Sequence, residues 1–116
     1  MKTALLLALA LLSPGLLSAF VGINEVAWMG SASDANHEWI ELFNDGSAAV
    51  SLDGWTLNAV DGAPAITLSG TIVAGGYFLL ERTSDDSVAS ISADLIYTGA
   101  LGNDGERLLL HDVAGN

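Results

Sequence analysis

The chain has 116 residues, 14 acidic side chains against 3 Lys and Arg for a formal net charge of −11, and no cysteine. This balance excludes a polyanion as partner, because nucleic acids are held by clustered Lys and Arg that release counterions. It also disfavours anionic membrane surfaces. Without cysteine there is neither a disulfide framework to compensate for a thin core nor the lipid-attachment residue of a bacterial lipoprotein.

At the N-terminus, Lys2 precedes an apolar run from Ala4 to Leu12 that Ser13-Pro14-Gly15 brings to an end. That pattern predicts a secretory signal peptide over residues 1–19, with the small residues Ser18 and Ala19 before Phe20 as the cleavage site. The run is too short to span a bilayer, which takes roughly 20 apolar residues, and no second apolar stretch follows it. No membrane anchor is therefore expected after cleavage. Removal of residues 1–19 takes Lys2 with it and leaves 97 residues at a net charge of −12. That length suffices for one core and not for two domains.

From Phe20 onward the apolar residues come in short runs of period two, with no sustained i, i+3, i+4, i+7 pattern. The expected strands are Val21 to Trp28, Glu38 to Phe43, Trp55 to Ala59, Ala65 to Leu68, Thr71 to Val73, Tyr77 to Arg82, Leu95 to Tyr97 and Glu106 to Asp112. Ile40 and Leu42 alternate with Trp39, Glu41 and Phe43, and Trp55 and Leu57 alternate with Thr56 and Asn58. Glycines at a spacing near eight residues punctuate the runs, and the Asp-Gly pairs at Asp45, Asp53, Asp61 and Asp104 suit turns that need positive φ. Short alternating strands between regular turns describe a small sandwich or barrel. The residues between the glycines do not match one another, so the spacing reflects strand length and not duplication. After Leu108, Leu110 and Val113 the chain closes on Ala114-Gly115-Asn116, a turn signal with no strand behind it. The expectation is a sandwich lacking its last strand.

Each constellation that could carry chemistry is incomplete. His37-Glu38-Trp39-Ile40-Glu41 opens like a zinc-protease motif, yet Glu41 stands where the second His is required and the segment reads as strand. Glu38 and Glu41 are three apart on a strand and so face opposite ways, which prevents them from forming a glycosidase pair by themselves. Glu25 or Glu81 could approach one of them from a neighbouring strand, but a solvated sheet face accounts for all four. No Gly-x-Ser-x-Gly elbow is present, and His37 and His111 read as exposed bystanders. The acidic loops Asp85-Asp86 and Asn103-Asp104-Gly105-Glu106 offer oxygen ligands for calcium without the alternation of an EF-hand loop. Among Trp28, Trp39 and Trp55, Trp55 is the best core candidate, and Trp39, which shares a face with Glu41, is the one expected at the surface. No catalytic, cofactor-binding or metal-ligating residue is assigned, and the chain is not expected to be an enzyme.

With the strands placed, Ile23-Asn24-Glu25-Val26, Glu38-Trp39-Ile40-Glu41-Leu42-Phe43-Asn44, Val50-Ser51-Leu52-Asp53-Gly54-Trp55-Thr56-Leu57, Ala74-Gly75-Gly76-Tyr77-Phe78-Leu79-Leu80 and Asn103-Asp104-Gly105-Glu106-Arg107-Leu108-Leu109-Leu110-His111-Asp112 resemble, in order and spacing, the lamin tail domain of bacterial exported proteins. The resemblance implies an all-β, immunoglobulin-like β-sandwich over residues 20–116 with no catalytic residues to carry over. It also implies a further strand after the final Gly-Asn turn. The implied role is a binding or structural module, secreted or at the cell surface, whose partner is a protein or a surface polysaccharide. Two other readings are an N-terminal accessory domain of a larger secreted hydrolase or nuclease, and a calcium-dependent adhesive domain.

Overall fold

The computed structural model describes residues 20–116, so the expected signal peptide of residues 1–19 lies outside the described residues. All regular structure among the described residues is strand: β1 (Val21–Ala27), β2 (Trp39–Asn44), β3 (Val50–Ser51), β4 (Thr56–Ala59), β5 (Ala65–Thr67), β6 (Thr71–Ile72), β7 (Tyr77–Arg82), β8 (Leu95–Tyr97) and β9 (Leu108–His111). One sheet runs β1-β2-β7-β8, a second runs β5-β4-β9, and β3-β6 form a short ribbon. The protein is an all-β sandwich, as the alternation and turn spacing predict, and an immunoglobulin-like one, as the resemblance implies.

Alternation decides what lies between the layers. Ile40 and Leu42 of β2 and Phe78 and Leu80 of β7 point inward and meet Leu57 of β4 and Ile66 of β5, with Leu52, Leu68, Ile72, Tyr97 and Leu101 completing the cluster. Burying a side chain of this size contributes about 1.5–3 kcal/mol, and this core has no disulfide to assist it. Trp28 and Trp55 pack against the cluster from its margin and are only half-buried, so Trp55 is a core-edge residue. Trp28 joins Ile23, Val26 and Leu108 in an opening of about 300 Å³ between β1 and β9.

The expected strands are found with trimmed ends. β2 begins at Trp39 and not at Glu38, β4 at Thr56 and not at Trp55, and β9 spans Leu108–His111 and not Glu106 to Asp112. The pair β3-β6, joined by Val50 opposite Ile72 and Ser51 opposite Thr71, supplies one strand the periodicity does not predict, since two residues carry no period. Of the four Asp-Gly turns, those at Gly54, Gly62 and Gly105 use positive φ, whereas Gly46 does not. There the turn is held instead by Asn44, whose side-chain oxygen accepts from the Gly46 amide at 2.9 Å.

Asn44 continues the inward row of Ile40 and Leu42 and is fully buried. Its amide group donates to the carbonyls of Ala48 at 2.8 Å and Ile72 at 3.1 Å, while its backbone exchanges hydrogen bonds with Gly75 and Gly76. A buried polar side chain is tolerated when its partners are complete, and this one ties β2 to β6. At the other end of the chain, Asp112 accepts from the amides of Ala114 and Asn116 and closes the last turn. Those donors, the Asn116 amide foremost, hold its carboxyl below the usual carboxylate range.

Every strand pair is antiparallel except β7-β8, which runs parallel with Leu80 opposite Leu95 and Arg82 opposite Tyr97. A parallel neighbour cannot be reached by a tight turn. The connection of residues 83–94 therefore has to travel back along β7 before β8 can start, and its path creates the surface described next.

Candidate functional site

On the outward face of the four-stranded sheet, Trp39, Glu41 and Phe43 of β2 lie opposite Glu81, Leu79 and Tyr77 of β7. On the other flank, Ala27, Glu25 and Gly22 of β1 face the same three β2 residues. Two-sided coverage of β7 is written in its sequence, because Phe78, Leu79 and Leu80 form an unbroken apolar run and not an alternation. Leu79 and Glu81 are both buried although they point away from the core.

The returning connection covers them. Glu81 Oε1 accepts from the amides of Ser87 at 2.8 Å and Val88 at 3.4 Å, which seats the loop on the sheet, and Glu81 Oε2 is buried without a partner. Further along, Asp94 Oδ2 accepts from the Leu79 amide and the Asp94 amide donates to the Leu79 carbonyl, both at 2.8 Å. Asp85 takes the Ala93 amide at 2.8 Å and so closes the loop on itself. Between this loop and the sheet runs a groove of about 400 Å³, walled by Val88, Ile91 and Asp94 on one side and by Trp39, Glu41, Leu79 and Tyr77 on the other.

The groove is apolar and acidic together. Tyr77 is 59 % exposed and Ile91 58 %, and the Tyr77 ring lies 4.8 Å from that of Phe43 at a tilt of 33°. Glu41 Oε1 accepts from the Asn24 side-chain amide at 2.7 Å, and Glu25 stands directly opposite Glu41 in the β1-β2 register. No cation among the described residues neutralises these carboxylates. Arg82 points the other way and Arg107 precedes β9 of the opposing sheet.

A second polar cluster closes one end of the sandwich. Glu38, 2 % exposed, accepts through Oε1 from Arg82 Nη1 at 3.1 Å and from the Leu101 amide at 3.0 Å. Tyr97 lies on the same inward row, with its hydroxyl buried and unpartnered. Burial, with the Glu38 charge adding to it and Arg82 opposing, pushes the Tyr97 phenol above its ordinary range. The cluster reads as a plug and not as a site, since the Glu38 carboxylate is buried and already engaged by Arg82 and the Leu101 amide.

These positions correct several expectations. A solvated face does not account for Glu38 and Glu81, which are buried and hydrogen-bonded, while Glu25 is solvent-facing and Glu41 half-buried on the outer face. The opposite orientation of Glu38 and Glu41 holds: one caps the core and the other lines the groove. His37 and His111 are half-buried, not exposed. His37 Nδ1 shares a 2.7 Å hydrogen bond with Ser31 Oγ, and its Nε2 lies 3.7 Å from Asp34 Oδ2, so it organises the loop before β2. Trp39 is half-buried and outside the core, as its shared face with Glu41 predicts. Glu106 accepts from the Gly102 amide at 2.7 Å and Asp86 from the Ser84 hydroxyl at 3.1 Å, so these acidic loops serve their own turns. Among the described residues no three His, Cys, Asp or Glu side chains converge on a common metal position. The groove residues that sequence reasoning leaves out are Leu79, Val88, Ile91 and Asp94. The Phe78–Leu80 run is the one signal that could have found them.

No helix among the described residues is long and apolar enough to cross a membrane. None of the curated proteins compared with the chain matches it. The family model described as Lamin Tail Domain, a non-catalytic immunoglobulin-like fold, matches residues 18–116. With nearly the whole chain matched and the sandwich in place, the chain belongs to the lamin tail domain family.

Proposed function

We propose that the chain is a non-catalytic exported module that holds a protein or a surface polysaccharide, in the extracellular space or at the cell surface, through the groove between residues 83–94 and the outer sheet face. The observation that carries this reading is the placement of Trp39 and Tyr77. In a domain with no disulfide, large aromatics are the most effective core material available, yet these two stand on the outer face and wall an apolar cleft. Exposed aromatics in a concave, partly apolar site with a few polar groups are the usual composition of a recognition surface. The Glu25 and Glu41 carboxylates do not argue for hydrolysis, because a general acid needs an enclosed, desolvated carboxyl and Glu25 is open to solvent.

The test is retention on intact cells and on their isolated wall polysaccharide, before and after protease treatment. Wild-type protein should be retained, and a Trp39→Ala/Tyr77→Ala variant of unchanged circular dichroism should be washed off. Equal retention of the two forms would remove the groove from the account. Export is tested separately, by whether residues 1–19 carry a reporter out of the cytoplasm.

A further inference from the structure

The Glu25–Glu41 register is the least expected feature of the surface. Like charges directly opposite each other on neighbouring strands destabilise a sheet, and here the pair is not offset by any cation on that face among the described residues. Among the described residues the relief is the 2.7 Å hydrogen bond that Asn24 donates to Glu41 Oε1. A third carboxylate, Asp94, sits across the groove and spends one oxygen on the Leu79 amide. Where a local rule is broken and no countercharge inside the fold offsets it, the compensation is sought outside it.

We propose that the groove receives a basic side chain, arginine or lysine, presented by a partner polypeptide. This inference rests on the binding reading above and names its partner. Three features of the groove match that chemistry. Glu41, with Glu25 behind it and Asp94 opposite, supplies the countercharge that a guanidinium or ammonium requires. Trp39 and Tyr77 line the groove with aromatic rings, whose quadrupoles attract a cation. Leu79, Val88 and Ile91 supply apolar wall for the methylene stem, which arginine and lysine bury while the charged head reaches polar groups. A neutral glycan would use the rings and leave the opposed carboxylates uncompensated. An anionic ligand would add to the repulsion.

The test is a titration of the 15N-labelled protein with a capped pentapeptide carrying one central arginine flanked by leucine and glycine. Parallel arms use the same peptide with citrulline, which keeps the shape and removes the charge, and cellohexaose as a neutral glycan. The arginine peptide should shift the amides of Glu41, Leu79 and Asp94 and the Trp39 indole N–H, in a manner weakened by salt. Glu41→Gln should weaken it by about tenfold while leaving the melting midpoint unchanged or raised, because the opposed charges are gone. Asp104→Asn, with the same change in net charge on a remote turn, should bind as the wild type does. Equal binding of the citrulline peptide, equal loss in Asp104→Asn, or a lower midpoint in Glu41→Gln would each overturn the proposal. Shifts at these resonances with cellohexaose alone would overturn it and leave the binding reading standing. Silence at the groove with every probe would also overturn it, and the binding reading would then be decided by retention of the Trp39→Ala/Tyr77→Ala variant.

Discussion

Arg82 Nη1 and Glu38 Oε1 lie 3.1 Å apart, one on β7 and the other just ahead of β2, in a pair that closes the sandwich end and leaves Glu38 2 % exposed. Removing one member of a buried pair strands the other charge in a poorly solvating medium, at a cost of about 3–5 kcal/mol. Arg82→Met should therefore lower the melting midpoint by roughly 12–40 °C, at about 4–8 °C per kcal/mol for a domain of this size. The double variant Glu38→Gln/Arg82→Met should recover much of that loss. A midpoint for Arg82→Met within a few degrees of wild type would show that the pair is solvated in a way its burial does not allow.

Tyr97 provides the pH-dependent counterpart. Its phenol is raised above the ordinary tyrosine range, chiefly by burial and then by the Glu38 charge. A group whose folded pKa is raised contributes stability that is fully present below the unfolded value, near 10 for tyrosine, and that declines as pH rises toward the folded value. Stability to urea should thus fall between about pH 10 and pH 12 in the wild type and fall less in Tyr97→Phe. Because the hydroxyl is buried without a partner, Tyr97→Phe should also gain about 1 kcal/mol at neutral pH. A loss at neutral pH would mean that the hydroxyl has a partner in solution.

Asn44 is the third case. Asn44→Leu keeps the volume but leaves the Gly46 amide and the carbonyls of Ala48 and Ile72 without their partner. The expected loss is about 3 kcal/mol, seen as a lower urea midpoint with an unchanged slope. A change in slope would instead indicate that β3 and β6 detach before the rest unfolds.

Two glycines separate backbone strain from crowding. Gly70 has φ of +104° and a Cβ there would lie 3.3 Å from Phe78 Cε2, whereas Gly75 has φ of +69° with open space around it. Gly75→Ala should cost about 1 kcal/mol, the usual left-handed penalty. Gly70→Ala should cost clearly more, because its φ lies outside the left-handed well and the Phe78 ring must also shift. Equal thermal shifts in the two variants would argue that Phe78 yields freely.

The strands were legible because period two survives wherever one face is wet: Ile40 and Leu42 set against Glu41 announce β2 at once. The ribbon of Val50–Ser51 and Thr71–Ile72 was legible only on its second strand, since two residues cannot show a period. Glu38 and Glu81 were misread for a physical reason. A glutamate in a strand is ordinarily solvated, and what buries these two is chain outside their own strands, the distant Leu101 amide over one and Ser87 and Val88 of the following loop over the other. Burial imposed by a returning loop leaves almost no local trace. The groove was invisible on the same account, apart from the uninterrupted Phe78–Leu80.

The parallel pairing of β7 and β8 separates the architecture of this domain from the shape of its outer cleft. Since the strands must be joined by a long return, residues 83–94 form a wall that is anchored to the frame at Glu81 and Leu79 and contributes nothing to the interior between the sheets. Substitutions at Val88, Ile91 or Ser92 can redraw the cleft while the sandwich stays as it is. On the binding role proposed above, a lineage can thus change what the cleft holds without having to refold the domain.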